Sequence, residues 1–286
     1  ASIFLIWFLK KHQKNLKLNK INKFTSHFIL ILFSLIIFLP IIWLLRVALT
    51  NKVTAYKIPP EWATLNLNNF TEIFTNNSFT NYFINSVIVS IGSTAIALPI
   101  AASMAYAFSR YNTGGSLLRI IVLSTQLLPP VIIVLPLFTL YLKINLLNSI
   151  TGLILAHVTI SLPFLAWILI SFFEGNVIYL EQAARVDGAS RLQAFLYIAI
   201  PVSSPGLIAA GLLAFILSWN EFILALILSG PQTNTIPVGL SSFQSHRGVD
   251  IAPLAAATIF SIIPVFLLLP FIKKYLISGL SLGALK

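Results

Sequence analysis

Cysteine is absent from the 286 residues, which excludes disulfides, thiolate metal sites and cysteine nucleophiles. Histidine is scarce, and His12, His27, His157 and His246 lie too far apart for ligation from one helix face, so no metal site and no catalytic set is expected. No glycine-rich phosphate cradle ending in Gly-Lys-Ser/Thr occurs, so the chain cannot hold a nucleotide in that manner. Charge is sparse as well. Charged residues make up 9% of the chain, where soluble domains carry roughly a quarter.

What fills the space is hydrocarbon. Hydrophobic residues reach 58% and the mean hydropathy is +0.94. The apolar residues come in runs long enough to cross about 30 Å of bilayer as helices. Six segments qualify, at about 27–49, 82–109, 117–142, 150–173, 204–228 and 253–275, so an all-α polytopic membrane protein with six transmembrane helices is expected. The corresponding division is a segment 1–26, a six-helix domain 27–275 with a large loop 174–203, and a tail 276–286.

The formal charge of +11 is concentrated rather than spread. Lys10, Lys11, Lys14, Lys17, Lys20 and Lys23 crowd before the first apolar run, and Arg110, Arg119, Arg185, Arg191, Lys273, Lys274 and Lys286 fall on the same side if six spans alternate. Arg46, Lys52, Lys57, Lys143 and Arg247 are left for the other face. The positive-inside rule makes the first side cytoplasmic, with both termini there, and accounts for the charge without a nucleic-acid partner. Ser2 to Leu9 is apolar but too short to span, and reads either as an interfacial anchor or as a loosely packed tail.

Prolines punctuate the spans at Pro40, Pro99, Pro129-Pro130, Pro136, Pro163, Pro264 and Pro270. Each removes a donor and bends its helix, either around a cavity or as ordinary packing of kinked spans. Polar residues within the spans are expensive. Glu221 would cost about 2.5–3.5 kcal/mol at mid-depth, which favours a water-lined path or a paired position. Asn220, Gln126, His157 and Asn85 are weaker candidates for lining a path, since such groups also serve as hydrogen bonds between helices. One acid and one histidine in different spans offer no catalytic spacing for an intramembrane enzyme.

The loop between the fourth and fifth spans carries a helix, a stop and a second start. Gly188 suits the left-handed residue that ends a helix, and Ser190 can cap the next, from about Arg191 to Ala199, until Pro201 breaks it. Leu180, Ala183, Ala184 and Asp187 share one face of the first helix, a low surface that another protein can approach closely. Glu181, Arg185 and Arg191 are expected around it in the manner of an interface rim.

Gln182-Ala183-Ala184, then Gly188, Ile198 and Ile200-Pro201 at their spacing, resemble the EAA loop of ABC importer permeases, usually Glu-Ala-Ala, Gly, then Ile-x-Leu-Pro. Gln182 stands in place of Glu, which leaves open whether Glu181 substitutes for it, and Ile200 stands in place of Leu. From about Asn81 to Lys286 the chain is similar to the maltose-type carbohydrate permeases, through Pro129, Pro136, Asn148, Gly152, Pro163-Phe164, Ser218-Trp219-Asn220-Glu221-Phe222 and the tail from Gly279.

This resemblance implies a type I ABC importer permease fold, with no cofactor on this chain and ATP and Mg held by two partner ATPase subunits. Glu181, Gln182, Ala183, Ala184, Arg185, Asp187, Gly188 and Ser190 would engage them. It further implies a second homologous permease subunit in a heterodimer, and a bacterial inner-membrane location among lipid. An extracytoplasmic substrate-binding protein would meet the outer loop 229–252, for which Gln232, Asn234 and Gln244 are contact candidates. The substrate would be a disaccharide, an oligosaccharide or a sugar-like osmolyte, with a non-sugar solute (amino acid, phosphate, polyamine) as the alternative.

Overall fold

The computed structural model describes residues 20–284 except 61–64, 76, 112, 176, 246 and 247; the side chains of 20–24, 77, 244, 245, 248 and 276–284 also lie outside the description. Lys10 to Lys17, the segment 2–9, Arg247, His246 and Lys286 therefore fall outside it. In the apolar runs every backbone donor and acceptor must be satisfied within its own segment, and helices result. In chain order they are α1 (Lys20–Ala48), α2 (Asn68–Thr75), α3 (Asn77–Tyr111), α4 (Gly115–Ser124), α5 (Pro130–Lys143), α6 (Ile150–Phe173), α7 (Val177–Val186), α8 (Arg191–Val202), α9 (Ser204–Trp219), α10 (Ile223–Leu228), α11 (Ile236–Ser241) and α12 (Ile251–Ala284). A two-residue hairpin pairs Gln244 with Val249 before α12.

Among the described residues, four helices can each cross a membrane by length and composition: the stretches Thr25–Ala48, Ser78–Tyr111, Ile150–Phe173 and Ile251–Tyr275. Two bent pairs raise the number to as many as six. The expected third span is one of them, since Gly115–Leu127 meets Pro130–Lys143 at 94°. Each residue before a proline is pushed toward extended backbone. Leu128 (ψ 127°) and Pro129 (ψ 133°) are both so placed, and Pro130 then opens α5, where its missing donor is harmless. What reads as a kink is a right-angle corner.

The expected fifth span, 204–228, is divided differently. Its first part, α9, leaves α8 at 73°, and its continuity is lost at Asn220 to Phe222, beyond which α10 starts afresh. An unbroken apolar run hides this because hydropathy does not register backbone breaks. The boundaries expected at 26 and 275 are not helix ends either, since α1 already runs from Lys20 and α12 continues to Ala284.

Small residues set the core. Ala97, Ala101, Ala102 and Ala105 of α3 meet Ala166 of α6 and Ala210 and Ala214 of α9, with Leu165, Leu169 and Phe173 filling between them. Close approach of backbones is how helices associate where lipid is as apolar as the side chains. A second cluster joins Val89, Val134, Tyr141, Leu153, Leu224 and Leu228, and a third joins Val47, Ile73, Phe79 and Ala255 to Ala257. Exposed apolar side chains from Phe28 to Leu45 of α1, with Leu117, Ile120, Leu135 and Leu142 of α4 and α5, leave a wide apolar perimeter.

At one end of the bundle α2 forms a cap over α1, α3 and α12. Buried Asn69 donates to the carbonyls of Ala48 and Thr50, and Lys52 pairs with Glu72 at 2.7 Å and lies 4.0 Å from Asp250. The hydrogen bond from Lys52 to the Glu72 carboxylate raises the lysine above its ordinary range. At the opposite end, α7 and α8 form an elbow.

Candidate functional site

The elbow is built by local rules. α7 ends in a Schellman motif: Ala189 N–H donates to Ala184 O (3.0 Å) and Gly188 N–H to Arg185 O (3.2 Å), with Gly188 at φ +95°. Only a residue without Cβ enters that region readily. Ser190 then starts α8 with a capping box. Its Oγ accepts from Gln193 N–H, and the Gln193 side chain accepts from Ser190 N–H at 2.8 Å. Gln193 was not anticipated, although Ser-x-x-Gln is legible in the sequence.

Pro201 does not break α8 where expected. A π-helical turn over Phe195 to Ala199, bonding five residues back, re-registers the ladder just ahead of the proline, and the helix runs on to Val202. Between the two arms lies a groove of about 440 Å³ lined by Ala184, Asp187, Gly188, Ala189, Gln193, Tyr197 and Ile198. Gln182, Ala183, Arg185, Asp187, Gly188, Ser190 and Arg191 are exposed around it, Ala184 is half-buried, and Val186 at the tip is 88% exposed.

Glu181 departs from its expected place. It does not lie on the rim; it is 4% exposed and faces inward with Val177, one turn earlier on the same stripe. One oxygen takes the Tyr106 hydroxyl, and the other pairs with Arg110 Nε at 2.5 Å. Arg110 also donates to the Phe173 carbonyl at 2.6 Å, and its guanidinium lies over the Tyr106 ring. This carboxylate is therefore not available to replace the missing charge at Gln182. Arg110 and Tyr106 escaped the sequence reading, yet a signal existed: a chain with seven acidic residues cannot bury one without a partner, and Arg110 closes the second span.

The residues considered for a translocation path divide into three places. His157 (1% exposed) and Glu221 (side chain 10% exposed) meet at the break between α9 and α10, with His157 Nε2 3.7 Å from Glu221 Oε2. His157 Nδ1 lies 2.7 Å from Ser218 Oγ, which also accepts from Ser93 Oγ, so α3, α6 and α9 share one buried polar chain. Both Glu221 oxygens accept from backbone, one from Leu224 N–H (3.0 Å) and the other from Ala225 N–H (3.1 Å), at the start of α10. Ser93 was not anticipated and Ser218 entered only through the Ser218-to-Phe222 resemblance, since nothing in a helical run of small residues distinguishes a bonded serine from a packed one.

Asn220 is exposed beside that break, at a cleft of about 280 Å³ also lined by Ile236, Pro237 and Ser261. Asn85 sits elsewhere, its amide donating to the carbonyls of Gln232 (2.9 Å) and Asn234 (3.0 Å), and so anchors the loop after α10. Gln126 lies exposed on the Thr125–Leu127 turn at the corner before α5 and takes no part in the buried chain. Of the residues considered for contact with a binding protein, Gln232 is exposed, while the Asn234 side chain accepts from Ser229 Oγ at 2.7 Å and stabilises its own loop. The Gln244 side chain lies outside the description. Near these loops a cleft of about 260 Å³ is lined by Glu72, Ser78, Tyr82, Ser242 and Asp250 among others.

Residues 97–281, which include the elbow and the α9–α10 break, match the family described as binding-protein-dependent transport system inner membrane component. The sulfoquinovosyl glycerol transport system permease protein of Agrobacterium fabrum is 34% identical over 86% of this chain and 88% of its own length. The trehalose/maltose transport system permease protein of Thermococcus litoralis is 33% identical over 90% of this chain and 94% of its own. A crystal structure of a bacterial ABC transporter involved in the import of the acidic polysaccharide alginate has a chain similar in fold, with TM-score 0.74 and 20% identity over 91% of this chain and 98% of that one.

Proposed function

The chain belongs to the family of binding-protein-dependent transport system inner membrane components, and from that premise we propose that it is the permease subunit of an ATP-driven carbohydrate importer. The elbow carries this reading. It is an exposed small-residue surface with a groove at its centre, held on a packed bundle, in a chain with no phosphate cradle of its own. A partner ATPase pair binds ATP and Mg, grips Ala183 to Gly188, and moves the elbow as it closes. The attached spans then shift as rigid bodies and open the path. The elbow end faces the cytoplasm together with both termini, the α2 cap faces outward, and a homologous second permease completes the pore.

The named substrates of the relatives, sulfoquinovosyl glycerol and trehalose/maltose, support a glycoside or sugar as cargo. A binding protein meets the cap end, where Gln232 and the cleft beside Asp250 are open to it.

The test has two parts. The binding protein that co-purifies with the complex is identified and its retained solutes measured; a carbohydrate is expected, and an amino acid, phosphate or polyamine would overturn the cargo assignment. Ala183→Asp and Gly188→Val are then compared with the parent chain in proteoliposomes. Both are expected to insert and to lose ATP-dependent uptake; normal uptake in both would remove the elbow from the mechanism.

A further inference from the structure

We propose that Arg110, with Tyr106 and Glu181, is a positioning clamp that transmits elbow motion to the second and fourth spans, a role that rests on the elbow being the ATPase contact. The elbow helix α7 follows α6 through a link that contains Gly175 at φ +85°, and a Cβ there would meet nothing within 4 Å. Packing at Gly175 thus does not fix the angle at which the elbow leaves the bundle. The clamp does so from the buried side of α7, beside the packing of Val177 into the bundle.

Four elements meet there. Arg110 at the end of α3 holds Glu181 of α7 through Nε at 2.5 Å and the last carbonyl of α6, at Phe173, through Nη2 at 2.6 Å. Tyr106, one turn earlier, donates to the other Glu181 oxygen. Its ring lies 4.5 Å from that of Phe195 in α8 and 5.8 Å from that of Phe173. Both charged side chains are nearly closed to solvent, 11% exposed for Arg110 and 6% for Glu181. A fork of guanidinium donors fixes direction as well as distance, whereas apolar side chains at the same place could slide. Gln182, Ala183 and Asp187 are exposed off the buried stripe of Val177 and Glu181, so the clamp need not touch the partner to act.

The consequence is a separation of two quantities. With the clamp loosened, the ATPase pair still docks on the exposed face and still turns over, but the elbow swivels about its link and less of its motion reaches α3 and α6. The experiment uses the assembled transporter in proteoliposomes with Glu181→Gln, Arg110→Gln and Tyr106→Phe, and measures ATPase co-purification, ATP hydrolysis and solute uptake in each. For the first two, uptake per ATP hydrolysed is expected to fall by about tenfold or more, a modest share of what loss of one partner of a buried pair can cost, with ATPase retention unchanged. Tyr106→Phe keeps the ring and is expected to give a smaller fall of the same kind.

Uptake per ATP equal to the parent in the charge variants would overturn the clamp. If those two do not insert, Tyr106→Phe decides alone, and tight coupling in it overturns the clamp. A parent chain that retains no ATPase would instead refute the proposed function, so the two failures are distinguishable.

Discussion

Glu181 and Glu221 are both carboxylates withdrawn from water, and the chain satisfies them by opposite means. Glu181 has a full countercharge in Arg110 and a hydroxyl from Tyr106, and lies within α7, which runs unbroken from Val177 to Val186. Among the described residues, no arginine or lysine pairs with Glu221. Its oxygens accept backbone N–H groups of α10, which exist to be accepted because the fifth apolar run breaks there. A buried charge thus stiffens the elbow end through ion pairing, while at the α9–α10 break it is accommodated by a helix start. The first arrangement suits transmission of a push, and the second suits a joint between two short rigid pieces.

The difference can be broken at its strongest point first. Glu181→Ala strands the Arg110 charge and is expected to destabilise the folded chain by about 3–5 kcal/mol, read as a fall in the thermal midpoint in detergent, with Arg110→Ala in the same chain recovering part of it. Glu221→Ala removes a helix cap and leaves no charge stranded, so a loss of about 1–2 kcal/mol is expected in the same assay. A loss at 221 equal to that at 181 would erase the distinction. Ser218→Ala cuts the link between His157 and Ser93 and is expected to cost about 0.6 kcal/mol, the average for polar contacts between membrane helices. Gln182→Glu, on the exposed side of α7, is expected to stay within about 0.5 kcal/mol of the parent and to transport normally; loss of uptake would show that the neutral side chain is required.

Features with local causes were legible in the sequence. Six apolar runs marked the spans, and Gly188 and Ser190 marked the elbow's turn because helix stops and starts are set by one or two residues. The Pro129-Pro130 pair announced an interruption, though not a corner of 94°. What escaped has a longer reach. The partners of Glu181 stand 71 and 75 residues away in the chain, and no periodicity connects them. Burial of Glu181 followed from which stripe of α7 meets the bundle, a question of tertiary packing. The break at Asn220 to Phe222 was concealed by apolar neighbours on both sides, and Glu221 itself was its sign.

The central claim is that the exposed face of α7 is gripped by a nucleotide-driven partner. Because the parent chain contains no cysteine, a single Ala183→Cys variant reports on that face alone. A short thiol crosslinker applied to the assembled transporter is expected to join residue 183 to an ATPase subunit, with a yield that changes on adding ATP. A thiol that reacts only with lipid-phase or aqueous reagents, in transporter that still hydrolyses ATP and imports its solute, would contradict the account.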